Sequence, residues 1–164
     1  MTKLKLSLVM MVVSLILGAC SLIDLSSTPI QNDNPPDAEN GEQIYFTSIS
    51  QRGGRISYTG GPAFGGMMMG SYLTCASCHG PTGRGGIHTM HMTVMDAPDI
   101  RYMALANEME EHGGGEGEYD LATFQKAVVD GEHPDGDSLD RDMPRWNMSE
   151  SDLIDLFTFL QSLE

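Results

Sequence analysis

Cys75-Ala76-Ser77-Cys78-His79 is the stretch from which the rest of this 164-residue chain is read. It has the form C-x-x-C-H, the attachment pattern of a c-type haem. The spacing has a chemical reason. Two thiols three residues apart on one helical turn reach two vinyl groups on one edge of a porphyrin. The adjoining imidazole of His79 can then turn under the iron as its proximal ligand. Two other chemistries use paired cysteines. A thioredoxin-type dithiol needs a βαβ setting, which the flanking sequence does not offer. A Cys2His2 zinc site would have to use His88 and His91. Nine residues separate Cys78 from His88 and two separate the histidines, fewer than the roughly 12–15 and three or more that such sites use.

The ends of the chain are consistent with an exported protein. Lys3 and Lys5 precede a twelve-residue apolar run from Leu6 to Leu17. That is the pattern of a signal peptide over residues 1–19 and is short for a membrane span. Leu17-Gly18-Ala19-Cys20 follows and resembles the lipobox of bacterial lipoproteins, in which the cysteine, here Cys20, is acylated; an ordinary secretory cut after Ala19 is the other reading. Residues 20–39 are rich in Ser, Asn, Asp and Pro and read as a flexible tether. The chain has three cysteines in all. With one assigned to lipid and two to haem, none is left for a disulfide, and a covalent macrocycle in the core becomes the staple of a small exported domain over residues 40–164.

The chain carries 9 basic and 23 acidic residues. Removing Lys3 and Lys5 leaves a formal charge of −16. This excludes nucleic acid and anionic membrane surfaces as electrostatic partners and suits a partner protein with a basic docking patch, although solubility accounts for it equally well.

Helices are predicted over residues 37–45, 99–107, 120–129 and 149–163. Asp99 is a candidate cap, and Ser149 with Asp152 forms a capping-box signature. Leu153, Leu156, Phe157, Leu160 and Leu163 make an apolar stripe at helical spacing. Residues 47–70 hold seven glycines and the triplet Met67-Met68-Met69. They read as a loop, with a short strand or hairpin near residues 56–58.

In this order the elements resemble class I cytochrome c, the small monohaem electron carriers. Gly41 and Tyr45 match the family's Gly-x-x-x-aromatic N-terminal helix, Cys75 to Gly80 its haem site, and Gly83 to Gly86 its Gly-rich follow-on. The resemblance implies an all-α fold, helices around one covalent haem c, with residues 47–70 as a Gly/Met-rich insertion before the haem motif. It implies that Gly41 lets the terminal helices cross closely against the Phe157–Leu160 face. It implies that the Pro98 carbonyl, in Ala97-Pro98-Asp99, holds the His79 ring, and that Met143, in Met143-Pro144-Arg145-Trp146, is the second iron ligand with Trp146 packed nearby. His79 and Met143 would then be the iron's two protein ligands. Met148, His112 and His133 are the competing candidates.

The implied function is one-electron transfer between a membrane redox complex and a partner redox protein. The protein would be an electron carrier and not an enzyme, free or as a subunit of an oxidoreductase complex, anchored in the bacterial cell envelope and facing periplasm or exterior. Two alternatives compete with it. One is a haem enzyme or gas sensor with an open distal site. The other is a copper-handling lipoprotein, because Met67, Met68, Met69, Met90, Met92 and Met95, with His88 and His91, are soft donors that suit Cu(I). The plainer reading of those methionines is packing around the porphyrin.

Overall fold

The computed structural model describes residues 35–62, 73–90, 93–106 and 119–164. The chain divides into two units, 1–33 and 34–164, and all described residues belong to the second. Cys20, the signal segment, Met67 to Met69, His91, Met92 and His112 lie outside the described residues, as does the Met90 side chain.

Two helices form the frame. Helix α1, Ala38–Thr47, starts where the Asp37 carboxylate accepts the backbone N–H groups of Glu39 and Asn40 at 3.0 and 3.1 Å. The last helix, Glu150–Ser162, starts where the Ser149 hydroxyl accepts the Asp152 N–H at 3.2 Å. Both caps satisfy donors that a helix start leaves without partners. The two helices pack across Gly41. A Cβ on Gly41 would strike the Asp155 carbonyl and the Phe159 side chain. The crossing therefore uses Asp155 and Phe159, and Tyr45 lies 5.3 Å from Phe159, ring to ring. Phe157, expected at this crossing, instead faces Phe124 at 5.0 Å and Tyr102 at 5.9 Å.

A polar network closes the same crossing. The Asp155 side chain is 1% exposed. Its carboxylate accepts from Arg52 Nε at 2.7 Å, Asn40 Nδ2 at 2.7 Å and the Asp37 N–H at 2.8 Å. Burial pushes its pKa up, but Arg52, Asn40 and Asp37 together outweigh burial and hold it below the ordinary 3.8. A depressed folded-state pKa adds stability above the unfolded value, and that stability is lost as pH falls through the folded one. Arg52→Leu is therefore expected to lower Tm at pH 7, with the gap to wild type closing as pH drops below about 4. Tm measured from pH 3 to 7 checks this, and parallel curves for the two proteins would count against it.

An all-α fold is expected from the sequence; the structure corrects this to a mixture of helix and strand. Three antiparallel two-stranded ribbons occur among the described residues. Strand β1, Ile49–Ser50, pairs with β2, Gly54–Arg55. Strand β3, Tyr58–Thr59, pairs with β6, Arg145–Trp146, in the register Tyr58↔Trp146. Strands β4, Gly86–Met90, and β5, Thr93–Ala97, form the longest ribbon. Its composition explains it. Ile87, Thr89, Thr93 and Val94 are β-branched, and burial alternates with period two: Ile87, Val94 and Asp96 face out, while Met95 and Ala97 face in. Of the strand expected near residues 56–58 only Tyr58 lies in one, β3; Ile56 and Ser57 link β2 to β3, with Ile56 buried.

The remaining helices are short. The C-x-x-C-H stretch itself is helix α2, Cys75–His79, capped by Thr74. Helix α3, Tyr102–Ala106, begins later than expected, because the Asp99 carboxylate accepts the Arg101 N–H at 3.0 Å and turns the chain before the helix starts. Helix α4, Leu121–Gln125, is capped by Asp120 and continues as one π-helical turn, Lys126–Asp130. Helix Glu150–Ser162 is α5.

Candidate functional site

Helix α2 lies where several elements converge. Tyr45 of α1 donates its hydroxyl to the Gly80 carbonyl at 2.6 Å, and Ser48 donates to the Leu73 carbonyl at 2.7 Å. These bonds pin both sides of the Cys75–His79 turn to the N-terminal helix. Gly85 brings the chain back. At φ +60 a Cβ there would strike the carbonyl oxygens of Ala97 and Pro98. Only glycine permits that approach, and it sets Pro98 beside the turn.

His79 is 5% exposed, and its Nδ1 lies 2.9 Å from the Pro98 carbonyl oxygen. A carbonyl only accepts, so Nδ1 carries the hydrogen and Nε2 keeps its lone pair. Burial lowers the His79 pKa, with the Pro98 bond acting in the opposite sense, which favours the neutral imidazole. Burial also pushes the Cys75 thiol up to about 12 and raises Cys78.

These three residues open onto a cleft of about 570 Å³. Its walls are largely apolar. Leu73, Leu105, Phe124, Val128, Leu156 and Leu160 line it, all buried. Pro98, Met143 and Trp146 line the same cleft. Trp146 is 2% exposed and packs at a tilt against Tyr58, 4.9 Å between ring centroids, while Met143 is partly buried against the core. Among the competing ligands, Met148 packs on the core without lining the cleft. His133 does line it, with Nδ1 3.0 Å from the Tyr119 hydroxyl. His112 is outside the described residues. A second, shallower depression of about 390 Å³ is bordered by Asp120, Gln125, Glu150 and Leu153 and holds none of these groups.

Two parts of the site had no signal in the linear motifs. Arg145 was only the variable position of Met-Pro-x-Trp. Its guanidinium donates to the carbonyls of Leu139, at 3.0 Å, and Met143, and so fixes the loop that presents Met143. The β3–β6 ribbon and the Asn147 N–H to Ser57 carbonyl bond of 2.9 Å tie that loop to the segment before the haem motif. Part of the apparent insertion is therefore a brace for the Met143 loop.

The donor chemistry fits an iron porphyrin. The imidazole is neutral with Nε2 unprotonated, a thioether and two thiols share its cleft, and the cleft volume falls within the roughly 300–1,000 Å³ of cofactor sites. A cleft with that lining is what a covalently haem-binding protein requires. The sequence model of the cytochrome c family matches residues 38–164, and the chain belongs to that family. The protein is accordingly a class I cytochrome c, a carrier of electrons with covalently bound haem c. No curated protein and no solved structure matches the chain.

Proposed function

We propose that this cytochrome is a lipid-anchored, monohaem electron carrier of the bacterial cell envelope. It passes single electrons between a membrane redox complex and a second redox protein, as a free carrier or as a subunit of an oxidoreductase complex. The observation that carries the site assignment is the convergence of Cys75, Cys78, His79 and Met143 on one apolar cleft. Haem c bound there supplies a one-electron Fe(III)/Fe(II) couple.

The residues have separate tasks. Cys75 and Cys78 would hold the porphyrin by thioether bonds, each S–H adding across one vinyl group. His79 offers Nε2 to the iron, and the Pro98 carbonyl keeps the ring in the tautomer that leaves Nε2 free and raises its basicity. Met143 offers a soft, neutral sulfur that favours Fe(II). Trp146 and the apolar walls keep water away. His79 and Met143 would together hold the iron and leave no room for oxygen chemistry on it, which favours the carrier over a haem enzyme or gas sensor.

The anchor is supported by Leu17-Gly-Ala-Cys20 and by the family's typically extracytoplasmic location. The acidic charge supports a partner with a basic docking patch. The test is a redox titration of full-length protein extracted from membranes. The expected result is a single one-electron wave from acylated protein, with Cys20→Ser released from the membrane fraction. A wild-type product without lipid removes the anchor, and a ferrous wild type that binds CO readily removes the carrier.

A further inference from the structure

The haem site leaves one buried atom without a role, the Nε2 of the half-buried His88. His88 stands directly opposite Met95 in the β4–β5 ribbon. Met95 is 7% exposed and on the inward face, while Ile87 and Val94 on the outward face are 76% and 68% exposed. Residues directly opposed in such a ribbon have Cβ atoms about 5 Å apart. His88 Nδ1 lies 3.1 Å from the Gly86 carbonyl oxygen. The carbonyl accepts, so the hydrogen sits on Nδ1 and the lone pair on Nε2. That Nε2 is buried and has no hydrogen-bond partner among the described residues. Leaving a buried acceptor unsatisfied carries a penalty, so the atom has a reason to hold something.

We propose that His88 Nε2 and the Met95 thioether form a binding site for a soft monovalent cation, with Cu(I) the metal that fits. Imidazole nitrogen and thioether sulfur are the soft, neutral donors that select Cu(I). A ligating histidine ordinarily gives its other ring N–H to a carbonyl, which is the arrangement Gly86 imposes on His88. The sequence holds Met90, His91 and Met92 between the two donors. His88 does not line the haem cleft, whereas Met95 does. The cation would thus sit behind one cleft wall, on the side of His79, whose charged form is disfavoured by burial and then by His88.

The experiment uses the intact haem-loaded protein. The haem is kept reduced with ascorbate under argon, so that no electron passes between Cu(I) and the iron. Cu(I) is offered in competition with a chelator of known affinity, bicinchoninate. Wild type should retain one Cu(I) per haem. His88→Ala and Met95→Leu should each weaken retention at least tenfold, with the haem spectrum unchanged in His88→Ala, whose side chain does not line the cleft. Met103→Leu, at an outward position, should bind as wild type. If His88→Ala disturbs the haem spectrum, the near-isosteric Met95→Leu decides. Two results overturn the proposal: no Cu(I) retained by wild type, which leaves His88 Nε2 to a water, or undiminished retention in the His88→Ala, Met95→Leu double variant, which moves the copper to other methionines.

Discussion

Replacing Cys75 and Cys78 together with alanine is expected to yield colourless, largely unfolded protein. The cleft that the macrocycle would fill measures about 570 Å³ and is walled by residues of the main hydrophobic core, among them Leu73, Phe124, Leu156 and Leu160. At about 24 cal/mol for each Å³ of void, leaving it unfilled costs at most about 14 kcal/mol, an upper bound because the cleft opens to solvent. That rivals the whole stability of an ordinary domain, about 5–15 kcal/mol. Wild type made in a host that matures c-type cytochromes should keep its colour on a denaturing gel, since thioether bonds survive unfolding. The double variant should lose both the colour and the cooperative melt. A stable, colourless wild-type product would remove the haem assignment of these two thiols.

Met143→Ala is the second large effect, and it separates the carrier from the open-site alternatives. Removing the thioether removes the preference for Fe(II). The reduction potential should fall by on the order of 0.1 V or more, within the span that axial ligands control. CO should bind the ferrous variant and not the wild type. Met148→Ala should leave spectrum and potential unchanged, because Met148 packs on the core outside the cleft. His133 is the informative control, since it does line the cleft. If His133→Ala loses the wild-type spectrum while Met143→Ala keeps it, the second ligand is His133.

Much of the helical frame was legible because its signals are local. Asp37, Asp120 and Ser149 each cap the helix that follows, and a cap acts within three residues. The β4–β5 ribbon matches no expectation from the sequence: Ile87, Thr89, Thr93 and Val94 are β-branched, but Gly86, Met90 and Met95 dilute that signal. The pairing of Tyr58 with Trp146 could not be read at all. Each strand is two residues long, and no period shows in two residues. The same holds for Arg145, whose importance comes from the carbonyls of Leu139 and Met143 that it gathers, and for Asp155, which reads as a solvent-facing charge and is buried because Arg52, Asn40 and Asp37 surround it.

From sequence alone, the family and its covalent haem follow from one helical turn. Two thiols and an imidazole within five residues have their mutual geometry set by the backbone, wherever the rest of the chain goes. The tertiary structure decided what the spacing of residues leaves open. It made the domain a mixture of helix and strand. It set the Pro98 carbonyl 2.9 Å from His79 Nδ1 across the approach that Gly85 allows. It put Met143 and His133, but not Met148, on the cleft, and left His88 Nε2 buried opposite Met95. Those are distances between residues far apart in the chain, and they exist only once the terminal helices have crossed at Gly41 and the ribbons have paired.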